Sequence, residues 1–120
     1  MSEKPQFDPQ AIEARRQEIW QQRGDFSAPR PREGQEHVYV KPSSPFTSGN
    51  LHMGHVRDYS IGDAYARFRR ARGDAVLFGF GFDAFGLPAE MAAIERGTRP
   101  AEWVERCGER MLEQMVRLGF

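Results

Sequence analysis

The middle of the chain has two short β-rich segments separated by one long helical pattern. Residues 37–41, His-Val-Tyr-Val-Lys, alternate in character and end at Pro42, which is typical of a short strand. Residues 75–80, Ala-Val-Leu-Phe-Gly-Phe, form the continuous apolar run expected of a strand buried on both faces. The segment between them, from about His52 to Arg72, has helical spacing of Ile61, Ala64, Tyr65 and Phe68. This order predicts a βαβ unit with a right-handed crossover.

Helical patterns flank this unit at both ends. Asp8 precedes Pro9 as a helix cap, the pattern runs to about Arg23 with Ile12, Ile19 and Trp20 on one face, and Gly24 ends it. A last helix starts at Pro100, and its apolar stripe is more typical of a core than of a cofactor site; the stripe comprises Val104, Cys107, Met111, Met115 and Leu118. We therefore predict an α/β fold with a short parallel sheet and flanking helices. Residues 1–36 are expected to form a helix and linker, and residues 37–120 the α/β unit.

Composition limits what the chain can bind and where it works. Its 120 residues hold 17 basic and 17 acidic side chains, so bulk charge cannot hold a polyanion. The run Arg67, Arg69, Arg70 and Arg72 is either a solvated helix face or a local RNA contact. One cysteine cannot form an internal disulfide, and neither a secretion signal nor an apolar stretch of membrane length is present. We expect a cytoplasmic protein with no membrane contact.

The segment Leu51-His-Met-Gly-His-Val56 lies where the loop after the first strand becomes a helix. A helix start presents free N–H groups and partial positive charge, which suits a phosphate. His52 and His55 can add ring donors, and Gly54 lets a flat ring or phosphate approach the backbone. Two alternatives remain: the histidines only cap the helix, or they bind a metal with His37 or Cys107, although zinc usually needs three or four ligands.

The second strand runs into Gly79-Phe-Gly-Phe-Asp-Ala-Phe-Gly-Leu-Pro-Ala-Glu90. Ligands bind beyond the carboxyl ends of parallel strands, so Asp83 is expected beside the histidine loop. Its carboxylate could hold an ammonium group. The alternative is an Asx turn or a cap for the segment that follows Leu87-Pro88.

Two long motifs now carry a resemblance to a known family. Pro45-Phe-Thr-Ser-Gly-Asn-Leu-His-Met-Gly-His55 with Val56–Asp63, and Gly81-Phe-Asp-Ala-Phe-Gly-Leu-Pro-Ala-Glu90, resemble the class I aminoacyl-tRNA synthetases, specifically leucyl-tRNA synthetases. The resemblance implies a partial Rossmann-like nucleotide-binding fold with a short parallel sheet and flanking helices. It also implies that residues 37–120 are the N-terminal half of the catalytic domain, which activates leucine with ATP for transfer to tRNA(Leu). Magnesium would accompany ATP without a dedicated protein site.

The same resemblance implies a role for each matching residue. His52 and His55 would bind the ATP phosphates and stabilise the transition state, and adenine would pack against Gly54. Asp83 would hold the α-amino group, with Phe46 and Ser44 near the amino-acid pocket.

Some features depart from the family pattern. Phe46-Thr47, Asp58, Gly79 and Phe82 replace the usual Tyr-Pro, Asn, Pro and Trp, which bears on leucine specificity. The second synthetase signature, Lys-Met-Ser-Lys-Ser, is absent, so we expect a fragment. The alternatives are a non-catalytic fragment or paralogue that binds ATP, RNA or a partner, and another nucleotidylyl transferase such as a cytidylyltransferase. Self-association through an exposed sheet edge is also expected.

Overall fold

The computed structural model describes residues 7–28 and 30–120. The elements follow one another as α1 (Pro9–Arg23), β1 (His37–Val40), α2 (Met53–Ala71), β2 (Ala75–Phe78), α3 (Leu87–Glu95) and α4 (Pro100–Leu118). Residues 1–6 and Pro29, which belong to the predicted helix-and-linker segment, lie outside the described residues. No helix of the described part is long and apolar enough to cross a membrane.

The predicted strand, helix and strand form the centre of the structure. β1 and β2 pair in parallel, with His37 opposite Ala75 and Val40 opposite Phe78. α2 connects the strands and packs on both of them. The predicted α/β fold with a short parallel sheet is thus confirmed. β2 is shorter than the apolar run because it ends at Phe78.

α1 begins and ends at the residues that the sequence predicted. The Ala11 N–H donates to the Asp8 side chain at 3.2 Å, Pro9 opens the helix, and Gly24 ends it in the left-handed conformation with φ of 64°. No residue of α1 is buried, however, and Ile12 is 47% exposed. The helix contacts distant parts of the molecule through Gln17, whose side-chain amide donates to the Val116 carbonyl at 2.8 Å, and through Trp20, which lies under the Arg67 guanidinium.

The buried residues lie in two places, between α2 and the sheet and between α3 and α4. The stripe of α4 is largely confirmed, since Cys107, Met111 and Met115 are buried, whereas Leu118 is 46% exposed. α3, which the sequence analysis did not predict as a helix, packs against α4 and buries three alanines, Ala89, Ala92 and Ala93. Tyr59 and Ala66 of α2 and Val76 of β2 complete the buried set on the sheet side.

Apolar side chains are exposed on both α2 and β2. The exposed fraction on the apolar face of α2 is 62% for Ile61, 46% for Tyr65 and 54% for Phe68. Leu77 is 47% exposed, so the prediction that β2 is buried on both faces is wrong. The physical reason is that, within residues 7–28 and 30–120, α2 is the only helix that packs against the sheet, so one face of β2 stays open.

Candidate functional site

The two histidines close the first turn of α2 by capping each other's backbone. His52 is the N-cap residue, and its Nδ1 accepts the Gly54 N–H at 3.1 Å. The His52 N–H in turn donates to Nδ1 of His55 at 3.2 Å. This reciprocal arrangement is a capping box in which imidazoles replace the usual hydroxyl and carboxylate. It satisfies two backbone donors at the start of the helix.

Capping determines which ring nitrogen carries the proton. A neutral imidazole has one donor and one acceptor nitrogen, so an Nδ1 that accepts leaves the proton on Nε2. The rings of His52 and His55 are stacked, with centroids 3.8 Å apart. Burial, followed by the charge of His52, lowers the pKa of His55, although Asp58 opposes this shift. The capping alternative is therefore compatible with ligand binding, because it uses Nδ1 and leaves Nε2–H as a donor.

Gly54 makes this arrangement sterically feasible. A Cβ atom at position 54 would lie 2.9 Å from Cε1 and 3.0 Å from Nδ1 of His52. Real Cβ atoms almost never approach this closely, so a side chain here would displace the ring. The sequence predicts that Gly54 admits a ligand close to the backbone. The structure shows that Gly54 also leaves room for the capping imidazole of His52.

Asp83 lies beside the segment that leads to the histidines, which we call the wall segment (residues 42–47). The Asp83 N–H donates to the Pro45 carbonyl at 2.9 Å, and the Thr47 N–H donates to the Asp83 carbonyl at 3.4 Å. These bonds form a parallel bridge between Phe46 and Asp83. The structure thus brings Asp83 next to the loop, as the strand order predicts.

The side chain of Asp83 has no competing structural task. It is half-buried, and its carboxylate accepts no hydrogen bond from any residue that the structure describes. The capping alternative fails, because α3 begins after Gly86 without a side-chain cap. The carboxylate is therefore available for a cationic ligand group.

Ser44 and Phe46 occupy different positions along the wall segment. The Lys41 ammonium donates to the Ser44 hydroxyl and to the Pro42 carbonyl, each at 2.8 Å. Phe46 is 49% exposed, so much of its ring is free for contact with a ligand. Thr47, where the family usually has Pro, is buried, and its hydroxyl has no hydrogen-bond partner among the described residues.

A series of aromatic contacts connects the imidazoles with the residue before Asp83. His55 stacks on Tyr59 at 5.8 Å, Tyr59 meets Phe80 edge-on at 5.2 Å, and Phe80 meets Phe82 at 5.7 Å. Burial, with a smaller contribution from Asp58, raises the pKa of Tyr59 to about 12. The sequence analysis missed Tyr59, although its position four residues after His55 indicated a shared helix face.

The structure favours neither the metal alternative nor an open basic face. Among the described residues, no group of three or more His, Cys, Asp or Glu side chains is placed to hold a metal ion. Arg67 pairs with Asp63 at 2.6 Å and lies over Trp20 and Phe26.

The next arginines of the run are also engaged within the molecule. Arg69 pairs with Asp74 and with Glu36. The guanidinium of Arg70 lies 5.2 Å from the ring centroid of Phe26. These arginines therefore serve internal contacts more than a solvated face.

A cleft of about 480 Å³ lies beside the loop that precedes His52. Gly49 and Asn50 line one side and α4 the other, with Trp103, Arg106, Arg110 and Glu113 among its residues. Arg110 donates to the Asn50 side chain at 2.6 Å, and Gln114 accepts the Leu51 N–H at 3.0 Å. Two hydrogen bonds from α4 therefore hold the loop at Asn50 and Leu51, while the side chain of His52 is exposed to solvent.

The structure thus has donors at a helix start and a carboxylate beyond the neighbouring parallel strand, an arrangement typical of α/β nucleotide-binding proteins. Comparison with known families specifies it further: residues 38–119 match the family model described as tRNA synthetases class I (M). The chain belongs to the class I aminoacyl-tRNA synthetases.

Two similar proteins are both leucine–tRNA ligases. The chain is 49% identical to the leucine–tRNA ligase of Halobacterium salinarum over 100% of its own length and 13% of that protein. It is 50% identical to the leucine–tRNA ligase of Synechococcus sp. WH7803, over 99% of the chain and 14% of the relative.

The fold comparison gives the same result. The structure matches the crystal structure of the ternary complex of Agrobacterium radiobacter K84 agnB2 LeuRS, tRNA and LeuAMS with a TM-score of 0.89 and 43% identity, over 96% of this chain and 15% of that one. The predicted resemblance to the N-terminal part of a leucyl-tRNA synthetase catalytic domain is confirmed. The chain spans about one seventh of the length of these relatives.

Proposed function

We propose that this chain supplies part of a site that activates leucine with ATP for attachment to tRNA(Leu). In this reaction a leucine carboxylate oxygen bonds to the α-phosphorus, the bond from that phosphorus to the bridging oxygen breaks, and pyrophosphate leaves. The observation that carries the proposal is the reciprocal capping of His52 and His55, which leaves two Nε2–H donors side by side at a helix start. The names of the relatives support leucine and tRNA as the substrate classes.

The histidines would act on the phosphates. Charge develops on the α-phosphate oxygens as the fifth bond to phosphorus forms, and donors that are already oriented need no reorganisation to stabilise it. Such a donor contributes roughly 3 kcal/mol in well-studied sites. The partial positive charge at the start of α2 acts in the same direction.

The amino acid would bind against the wall segment. The Asp83 carboxylate would hold the α-amino group, and the exposed ring of Phe46 with Ser44 would lie near the leucine side chain. Adenine would pack against Gly54. Domain assignment follows the same proposal, with residues 1–36 as a helix and linker and residues 37–120 as half of the catalytic domain.

The cofactor and partner predictions are part of this proposal. Mg²⁺ would arrive with ATP, because phosphate oxygens and waters supply most of its ligands in nucleotide sites. tRNA(Leu) is the expected macromolecular partner and the cytoplasm the expected location. Self-association through an open edge of the two-stranded sheet stays a prediction.

The test is leucine-dependent exchange of pyrophosphate into ATP, measured for all twenty amino acids. His52→Ala, His55→Ala and Asp83→Ala should each lower the exchange about a hundredfold or more. Ser60→Ala, an exposed hydroxyl on α2, is the matched control and should have no effect. Exchange that survives all three site substitutions would contradict the proposal. ATP binding by calorimetry without exchange would instead favour the non-catalytic alternative.

A further inference from the structure

We propose that Asp58 is a positioning residue that holds the wall segment in register with the two histidines. Its effect on catalysis rests on the function proposed above, whereas its effect on the wall segment can be measured without catalysis. The side chains that would contact substrate fall into two groups, the histidines of α2 and the wall segment with Asp83. Asp58 belongs to neither group and lies between them.

The connection consists of two hydrogen bonds to one carboxylate oxygen. Oδ2 of Asp58 accepts the Ser43 N–H at 3.0 Å and the Ser43 hydroxyl at 2.5 Å. Asp58 follows His55 by three residues on α2, so the two side chains lie on the same side of the helix. Ser43 directly precedes Ser44 in the wall segment. The helix that carries the two histidines is therefore also hydrogen-bonded to the wall segment, where the amino acid would bind.

The opposite side of the wall segment is held by backbone bonds to Asp83. The bonds from Ser43 to Asp58 join the wall segment to α2. Loss of these bonds would leave the segment attached to the β2 side but free relative to the histidines. The distance between the reacting carboxylate and the α-phosphate depends on this relative position, and small displacements are costly in such sites.

Charge makes Asp58 more than a neutral acceptor. The Ser43 hydroxyl, then the Ser43 N–H, lower the pKa of Asp58, because both bonds stabilise the ionised carboxylate. The groups that face it are Ser43 and Lys41 on the strand side and His55 and Tyr59 on its own helix. His55 is itself faced by His52, Asp58 and the ring of Tyr59. Asparagine, usual at this position in the family, would keep an acceptor oxygen and remove the charge.

Two substitutions at this position separate the hydrogen bonds from the charge. Asp58→Ala removes both, so the Ser43 amide should exchange with solvent roughly tenfold faster or more, measured by NMR on the whole chain. Asp58→Asn should restore most of the protection. In the exchange assay, Asp58→Ala should raise the KM for leucine more than the KM for ATP, with recovery in Asp58→Asn.

A second variant keeps the inference testable if Asp58→Ala does not fold. Ser43→Ala removes only the hydroxyl donor, so the pKa of Asp58 should rise towards its ordinary value in a carboxyl titration by NMR. Ser60→Ala is the control and should leave that titration unchanged.

The outcomes are decisive in both directions. Fast Ser43 exchange in the alanine variant with recovery in the asparagine variant supports the inference, even if the wild-type chain shows no pyrophosphate exchange. Equal Ser43 exchange in wild type and Asp58→Ala, or alanine and asparagine variants that behave alike, would overturn it. So would an unchanged Asp58 titration in Ser43→Ala.

Discussion

Replacing Gly54 by alanine should strongly reduce pyrophosphate exchange while leaving the fold nearly as stable as before. The added Cβ would lie 2.9 Å from the His52 ring, so the imidazole must leave its capping position. Loss of the cap costs about 1 kcal/mol. Alanine is a better helix former than glycine by up to about 1 kcal/mol, which offsets this cost. The free energy of unfolding should therefore change by less than about 1 kcal/mol, or about 5 °C in Tm.

The functional effect of the same substitution should be much larger. Once Nδ1 no longer accepts the Gly54 N–H, the His52 proton is not confined to Nε2, and one oriented donor is lost. We expect pyrophosphate exchange to fall about a hundredfold or more. The assay combines thermal unfolding by circular dichroism, the exchange rate, and ¹⁵N NMR of the imidazole nitrogens to identify the tautomer.

Gly108 provides a matched control on α4. A Cβ there would meet the Phe82 ring at 3.7 Å, an ordinary contact, so Gly108→Ala should raise stability slightly and leave the His52 tautomer unchanged. The reasoning would be refuted if Gly54→Ala kept both the wild-type exchange rate and the Nε2–H tautomer.

Three further predictions concern pH and stability. Because burial lowers the pKa of His55 below its ordinary 6.5, the unfolded chain binds more protons near that pH, so urea stability should fall on acidification through about pH 6.5. His55→Gln should reduce this slope, and an equal slope would contradict the assignment. Thr47→Val removes a buried hydroxyl without a partner and should raise urea stability by about 1 kcal/mol; a decrease would reveal a missed partner. Met111→Ala should cost about 2–5 kcal/mol in thermal unfolding, against less than about 1 kcal/mol for the half-exposed Leu112→Ala; similar losses would refute the assigned core.

Local sequence signals predicted most helices and strands, because a helix cap or a strand pattern depends on residues that are close in sequence. Asp8 and Gly24 bound α1 through a side-chain acceptor and a left-handed backbone, and both properties can be recognised without tertiary information. The two strands were recognisable for the same reason, and their parallel pairing followed from the single helix between them. α3 was missed because its nine residues are too few for a clear apolar period, whereas the 19 residues of α4, which also lack a side-chain cap, show one.

Burial and side-chain geometry were less accessible to sequence reasoning. The apolar periodicity of Ile61 and Phe68 indicates a face that can pack, but the partner that would cover it must come from elsewhere, and both side chains are exposed here. The candidate site shows the same limit. Its residue types and order were predictable, whereas the use of both Nδ1 atoms as caps depends on ring orientations that only coordinates give.

The parallel pairing of β1 and β2 also has a consequence for the order of folding events. These strands can meet only after the whole segment from Lys41 to Asp74 has closed into a loop, which costs entropy before any ladder bond forms. Once the 19 residues of α2 form a helix, they span only about 28 Å and bring the two strands closer together. We therefore expect α2 to be structured in the folding transition state and the strands to pair late. Substitutions that lower helix propensity on the exposed face of α2 should then slow refolding more than they speed unfolding.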